Sequence, residues 1–421
     1  MPSPRILFVD HSGALGGAEL FLLDLARPYA STSTVVTFES GRFTEQLEAQ
    51  GLPHRVLASG ADLQRVRKSG TWIEGLRVLP ALTRTAQEVA QLARSHDVIV
   101  ANSQKALLPA AWAARRTGTP FIWMVHDLLT PEHFGWMQRQ LVTRVANASA
   151  DLVAVNSRAT AHAFADGGGS APVIDLPNGL DPAPFAPKHT ADPAATRATL
   201  EVPPQVPMLG VFSRLAEWKG QHVLLEALHD LPTAHALIVG EAAFPGDKPY
   251  AERLRAQADH PALHGRVHFA GHRADIPDLM AACTVVVHTS TAAEPFGRVV
   301  AEGLLARRPV VATHAGGVLE IIRPQHSGLL VPPGDAPALA AACQSLLDHP
   351  DWAAQLARTG AADVRTRYGL ERMHAQFLRM RCTASTHQRA SQHSCAFFLR
   401  DFCLRIPHDY NVERPRPASQ I

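Results

Sequence analysis

The sequence has almost no surplus charge. Lys and Arg number 40 against 38 Asp and Glu, a formal net charge of +2. A dedicated nucleic-acid binder would present a markedly basic domain, so that partner class is set aside. Cysteine is sparse: Cys283, Cys343, Cys382, Cys395 and Cys403 contain no C-x-x-C pair. Neither a disulfide framework nor a zinc site reads from that spacing, and a reducing cytoplasm is the expected compartment. Long apolar runs are also missing. Ile6-Leu7-Phe8-Val9 is too short for a signal-peptide core, and no run approaches the roughly eighteen residues of a membrane span. The chain reads as soluble, with at most a surface association with membrane. There is no G-x-G-x-x-G fingerprint and no D-x-D anywhere.

A chain of 421 residues, 46% of them hydrophobic, is too long for one compact core. Apolar runs at 5–10, 35–38, 97–101, 121–125, 152–155 and 173–176 alternate with amphipathic stretches, and the pattern resumes from 208 to 364. Strands interleaved with helices indicate βαβ units, an α/β fold with mostly parallel sheets. Between the halves, 182–207 carries seven prolines in 26 residues, a semi-rigid linker. The expected organisation is a first domain over 1–185, a linker over 186–207 and a second domain over 208–366. A helix over 367–381 follows, then an appended, weakly ordered tail over 382–421. Two similar α/β domains place the ligand in the cleft between them.

The densest chemistry lies at Glu294-Pro295-Phe296-Gly297-Arg298, continuing to Glu302 and, after a strand, to Gly316-Gly317. Two carboxylates eight positions apart bracket a turn that opens a helix. Arg214 and Lys219 flank another strand–helix loop, and two cations beside helix amides suit a diphosphate, or form a solvated pair. Gly16-Gly17 opens the first helix, either as an anion-binding turn or simply as a tight one. His126-Asp127 sits at a strand's carboxyl end, as a working histidine or a structural one. A basic amphipathic stretch at 65–84 (Arg65, Arg67, Lys68, Arg77, Arg84) faces anionic lipid, an acidic acceptor or plain solvent.

In this order, Gly16-Gly17-Ala18-Glu19, His126-Asp127, Pro177-Asn178-Gly179-Leu180-Asp181, Ser213-Arg214 through Lys219-Gly220, and the E-x7-E block from Glu294 to Glu302 resemble the retaining glycosyltransferases of family 4. The resemblance spans about residues 5–380. It implies the GT-B fold, two Rossmann-like doubly wound domains facing a cleft, and transfer of a hexose from a UDP-, GDP- or ADP-linked sugar to an unidentified acceptor. It also implies residue roles. Arg214 and Lys219 hold the pyrophosphate and stabilise its growing charge, without a metal or other cofactor. Backbone amides around Phe296, Gly297 and Arg298 face the phosphates, and Gly16 and Gly17 approach from the other domain. Glu294 takes hydroxyls of the transferred sugar, Glu302 takes the ribose diol, and His126 contacts the donor sugar beside the acceptor. The resemblance has the terminal helix crossing back to the first domain and offers no counterpart for the tail. Two alternatives accompany this reading: a sugar-nucleotide epimerase of the same fold, and a non-catalytic nucleotide-sugar binder.

Overall fold

A strand buried on both faces reads as a continuous apolar run, and such runs recur along this chain. In the structure, a computed structural model that describes residues 3–59, 72–187 and 189–380 (for 72–79 the backbone alone), they form two sheets. The first contains β1 (Ile6–Val9), β2 (Thr34–Thr37), β3 (His54–Val56), β4 (Val98–Ala101), β5 (Phe121–Val125), β6 (Leu152–Val155) and β7 (Val173–Asp175). The second contains β8 (Met208–Phe212), β9 (His235–Val239), β10 (Val267–Gly271), β11 (Val285–His288), β12 (Val310–Thr313) and β13 (Leu329–Val331). Their orders are β3-β2-β1-β4-β5-β6-β7 and β10-β9-β8-β11-β12-β13, with parallel pairing throughout. Each order reverses at its first strand, so β1 lies against β4 and β8 against β11. At such a switch point a crevice opens outside the strands' carboxyl ends.

Helices cover both faces of each sheet. Along β1, Ile6 and Phe8 pack with Phe21, Leu22 and Leu25 of the helix Gly17–Ala26. Leu7 and Val9 point the other way, toward Ala106 and Ala110 of the helix Gln104–Thr117. Along β8, Leu209 and Val211 enter one cluster while Met208 and Phe212 enter the opposite one. The fold is therefore α/β, with two Rossmann-like doubly wound units.

Two elements depart from the sequence reading. Strand β3 is a three-residue edge with two exposed positions, so it carries no apolar run to announce it. Within the proline-rich segment, Pro193–Thr199 is helical, its first turn capped by the Asp192 carboxylate on the Ala194 amide. This helix is fastened to the second unit: Arg197 donates to Ala282 O, Val206 O and Thr284 Oγ1, and the Ala191 amide donates to Asp278. Arg65, Arg67 and Lys68 of the basic stretch, and the whole segment 382–421, lie outside the described residues. Arg77 falls where only backbone is described. No described helix is long and apolar enough to cross a membrane.

After the helix Pro350–Arg367, the helical segment 370–380 returns to the first unit. Met373, Phe377 and Met380 are buried in the cluster around Ile6 and Phe8. The Phe377 ring lies 6.3 Å from Phe8 and 6.0 Å from Tyr29. The units also meet through loops at the strands' carboxyl ends. Arg42 pairs with Glu241 at 2.8 Å, and the Glu320 carboxylate accepts from the Arg158 amide at 2.8 Å. His133 Nε2 lies 3.3 Å from Ala293 O, its ring edge-on to Trp218. Both switch points thus open onto one cleft.

Phe377 carries the return of the terminal helix, so Phe377→Ala is expected to lower stability by about 3–5 kcal/mol, the usual range for a buried Phe. Urea unfolding followed by first-unit tryptophan fluorescence measures this. A loss under about 1 kcal/mol would show that the helix is not anchored there.

Candidate active site

At the second switch point the chain must turn sharply after β11 and bring Glu294 back beside β12. Gly316 makes that possible: its φ is +65°, and a Cβ there would stand 2.2 Å from Glu294 O. The Gly317 amide then donates to Glu294 O at 2.8 Å, which pins the loop. The Glu294 carboxylate is buried, and three donors converge on its Oε1: Lys219 Nζ at 2.5 Å, Ser290 Oγ at 2.6 Å and His288 Nε2 at 3.2 Å. Because a carboxylate only accepts, His288 carries a proton on Nε2, and its Nδ1 lies 3.1 Å from Thr313 Oγ1. Burial alone would raise the Glu294 pKa. Lys219, then His288, more than offset it, and the carboxyl is held well below its usual range.

Lys219 comes from the loop after β8 and also lies 4.1 Å from the Trp218 ring centroid. Arg214, from the same loop, stands outside the Glu294 network. It donates to Asp247 Oδ2 at 3.3 Å and lies over Phe244. The two cations therefore flank Trp218, one engaged by a buried carboxylate and one half-exposed. Phe296 turns its ring into the core, edge-on to Tyr368, so it can serve a ligand only through its backbone. Gly297 caps the helix Arg298–Leu305 in the left-handed region at φ 95°. The Val300 and Ala301 amides donate to Gly297 O, and the Arg298 and Val299 amides ahead of them open the helix without an intrahelical acceptor.

Glu302, one turn into the helix, is not solitary. Arg298 Nε donates to its Oε1 at 2.7 Å, and Arg298 Nη2 donates at 3.1 Å to Asp24 of the first unit. Burial leaves the Glu302 pKa raised even with Arg298 opposing it.

At the first switch point the polar groups are wired differently. Asp10, directly after β1, accepts from the His11 and Ser12 amides and from Asn102 Nδ2 at 2.6 Å. Burial raises the Asp10 pKa, but His11 and these donors lower it further, and it stays an anion. With Nδ2 thus assigned, Asn102 Oδ1 must accept, and His126 Nε2 lies 2.8 Å from it. His126 is therefore the Nε2–H tautomer, with Nδ1 as an acceptor. Burial pushes its pKa down to about 4 despite the pull of Asp10, so the imidazole is neutral at physiological pH.

The Gly16–Gly17 turn differs from an all-amide anion cradle. Glu19 Oε2 accepts from the Gly16 amide at 2.9 Å, so that N–H is already engaged. Gly17 faces open space, where an added Cβ would meet nothing within 4 Å. Burial, then repulsion from Asp10, pushes Glu19 up to about 8.

The sequence reading singled out Lys219, Glu294, Glu302 and His126, and the structure joins Lys219 to Glu294. It missed Asp10, Asp24, Asn102, His288 and Ser290. Asp10, Asn102 and His288 share a signal, a polar residue closing an apolar strand run. Asp24 has none. Among the described residues, no group of three or more His, Cys, Asp or Glu is arranged to hold a metal ion.

Two family models match the chain. The one described as glycosyl transferases group 1 covers residues 194–363, and the glycosyl transferase 4-like domain covers 16–179. HepE from Anabaena, solved in complex with UDP and glucose, is 36% identical with a TM-score of 0.80, over 90% of this chain and 99% of that one. The lipopolysaccharide core biosynthesis glycosyltransferase LpsE of Rhizobium meliloti is 30% identical over 187 residues, 44% of this chain and 53% of that protein. The chain therefore spans about half the length of that relative. A GDP-mannose-dependent monoacylated alpha-(1-6)-phosphatidylinositol monomannoside mannosyltransferase of Corynebacterium glutamicum is 26% identical over 86% of this chain and 93% of its own length.

The pKa directions have a measurable consequence. His126 binds its proton near pH 6.5 when unfolded and near 4 when folded. Between those values the unfolded state holds more protons, so this histidine makes the fold lose stability as pH falls from about 6.5 to about 4. His126→Asn is expected to flatten that part of the stability–pH curve, measured as urea midpoints from pH 4.5 to 7. An unchanged slope would mean that His126 titrates normally.

Proposed function

The chain belongs to the glycosyl transferases of group 1, and from that membership we propose that it is a retaining, metal-independent glycosyltransferase moving a hexose from a nucleoside-diphosphate sugar to an acceptor hydroxyl. The observation that carries the proposal is the buried Glu294 carboxylate, kept charged by Lys219, His288 and Ser290 at the crevice where β8 meets β11. A fixed carboxylate with Oε2 left over suits the hydroxyls of the transferred sugar, at about 1.5–3 kcal/mol for each charged bond. Lys219 has two further N–H donors for the pyrophosphate, and Arg214 can swing to it from Asp247. The amides at Phe296–Arg298 add the favourable end of a helix dipole. Together they stabilise the charge that grows as the C1–O phosphate bond breaks.

No protein nucleophile enters the proposal. The acceptor oxygen bonds to C1 on the face the phosphate leaves, and its proton passes to a phosphate oxygen. Neutral His126 presents Nδ1 as an acceptor, which suits a sugar hydroxyl better than an anion. The ligands in the HepE structures favour UDP and glucose as the donor's parts, whereas the Corynebacterium enzyme's name points to GDP; ADP is the third candidate. The relatives give no support to an epimerase or a non-catalytic binder.

A peripheral membrane contact is part of the reading. Within 65–84, Arg84 is exposed. The helix Trp136–Ser149 also exposes Trp136, Met137 and Leu141 beside Arg139 and Arg144, with no acidic residue. Flotation with phosphatidylglycerol vesicles at low salt should carry the protein upward. Failure to float, with neutral and anionic vesicles alike, sinks this part.

Glu294→Ala and Lys219→Ala should each abolish transfer while retaining a cooperative thermal transition. Wild-type transfer should persist in EDTA, and the true nucleoside diphosphate should raise the melting temperature above the other two. Full activity in either variant removes the site assignment, and loss of activity in EDTA removes metal independence.

A further inference from the structure

The Arg298 side chain joins the two units at one point. Its side chain is 16% exposed, and those of its partners Asp24 and Glu302 are 11% and 13% exposed. Asp24 ends the helix that opens at Gly16–Gly17, and Arg298 begins the helix that opens at Phe296–Gly297. One guanidinium therefore ties together the two helices whose amino ends face the cleft. It also takes one oxygen of Glu302.

We propose that Asp24 and Arg298 form a positioning pair that aims Glu302 at the donor's ribose, so that donor capture depends on the first unit being docked. This rests on the ribose role proposed for Glu302. Arg298 Nε fixes Glu302 Oε1 at 2.7 Å, which leaves Oε2 directed by the rest of the carboxylate plane. A long arginine has many rotamers, and one bond to a residue four positions along its own helix does not select among them. The second bond, from Nη2 to Asp24 across the cleft, does. Neither Asp24 nor Arg298 needs to touch the donor. Nη1 of Arg298 is enclosed with no hydrogen-bond partner among the described residues. The guanidinium is thus held by its two carboxylates rather than by a complete set of acceptors.

The test compares two probes, UDP and 2′,3′-dideoxy-UDP, by titration calorimetry on the full chain. They differ only in the hydroxyls that Glu302 would receive. Asp24→Ala should weaken UDP binding about tenfold, the scale of one charged hydrogen bond, and leave dideoxy-UDP within about twofold. Arg298→Lys should behave like Asp24→Ala, because an ammonium cannot span both carboxylates with a planar fork. Glu320→Ala, which removes the acceptor of a different contact between the units, should leave both probes unchanged. Asp24→Leu fills a similar volume without an acceptor and serves if the alanine variant fails to fold. Equal losses for both probes would mean that Asp24 is merely structural and overturn the pair. No loss in Asp24→Ala or Asp24→Leu while Glu302→Gln weakens UDP overturns the pair alone. No loss in Glu302→Gln removes the ribose role itself and the pair with it.

Discussion

A carboxylate shut away from water persists as an anion only where donors replace the water, and Glu294 is supplied from three elements at once. Lys219 arrives from the loop after β8, His288 from the end of β11, and Ser290 from the loop that follows. Removing one partner of such a pair leaves a charge buried and uncompensated, at about 3–5 kcal/mol. The surrounding backbone is therefore constrained to deliver all three. Gly316 has to pass against Glu294, and β12 has to offer Thr313 to the far side of His288. Much of the second sheet's carboxyl edge follows from one charged group.

The two switch points solve opposite electrostatic problems. On the second unit, burial is opposed by cations, and Glu294 remains charged. On the first, burial is largely unopposed at His126 and Glu19, so the histidine sheds its proton and the glutamic acid holds its own more tightly. One wall of the cleft is ionic and the other is mostly neutral and hydrogen-bonding. An ionic wall attracts a diphosphate at long range, while a neutral wall distinguishes hydroxyls by direction.

The sheets were legible because their strands are buried on both faces. Ile6 to Val9 and Val285 to Val287 leave no room for another reading, whereas β3, with Arg55 and Val56 exposed at an edge, has no such signature. The helix Pro193–Thr199 was hidden by its prolines, although Pro193 sits at the first helical position, where a missing N–H is harmless. Glu294 and Glu302 stood out by their spacing around a turn. What spacing could not convey was pairing. Lys219 lies seventy-five positions from Glu294, and Asp24 lies 274 from Arg298. Contacts at that separation are created by topology, and nothing local to Asp24 distinguishes it from any other acid on an amphipathic helix.

That same topology explains why the terminal helical segment matters to a cleft it does not line. Phe377 packs on Phe8 within the first unit, and Tyr368, just before the helix, accepts at its carbonyl from the Leu180 amide. His374 Nε2 lies 2.8 Å from the Asp24 carbonyl oxygen, in the turn whose side chain holds Arg298. The chain thus leaves the second unit and grips the first beside the bridge between them. The angle between the units is then set on one flank by backbone and core packing, and on the other by ion pairs such as Arg42–Glu241. A flank made of apolar burial is stiff. A flank made of half-exposed charges, screened by salt and worth little each, is compliant. The Arg298–Asp24 contact, buried and one residue's backbone away from His374, belongs with the stiff flank.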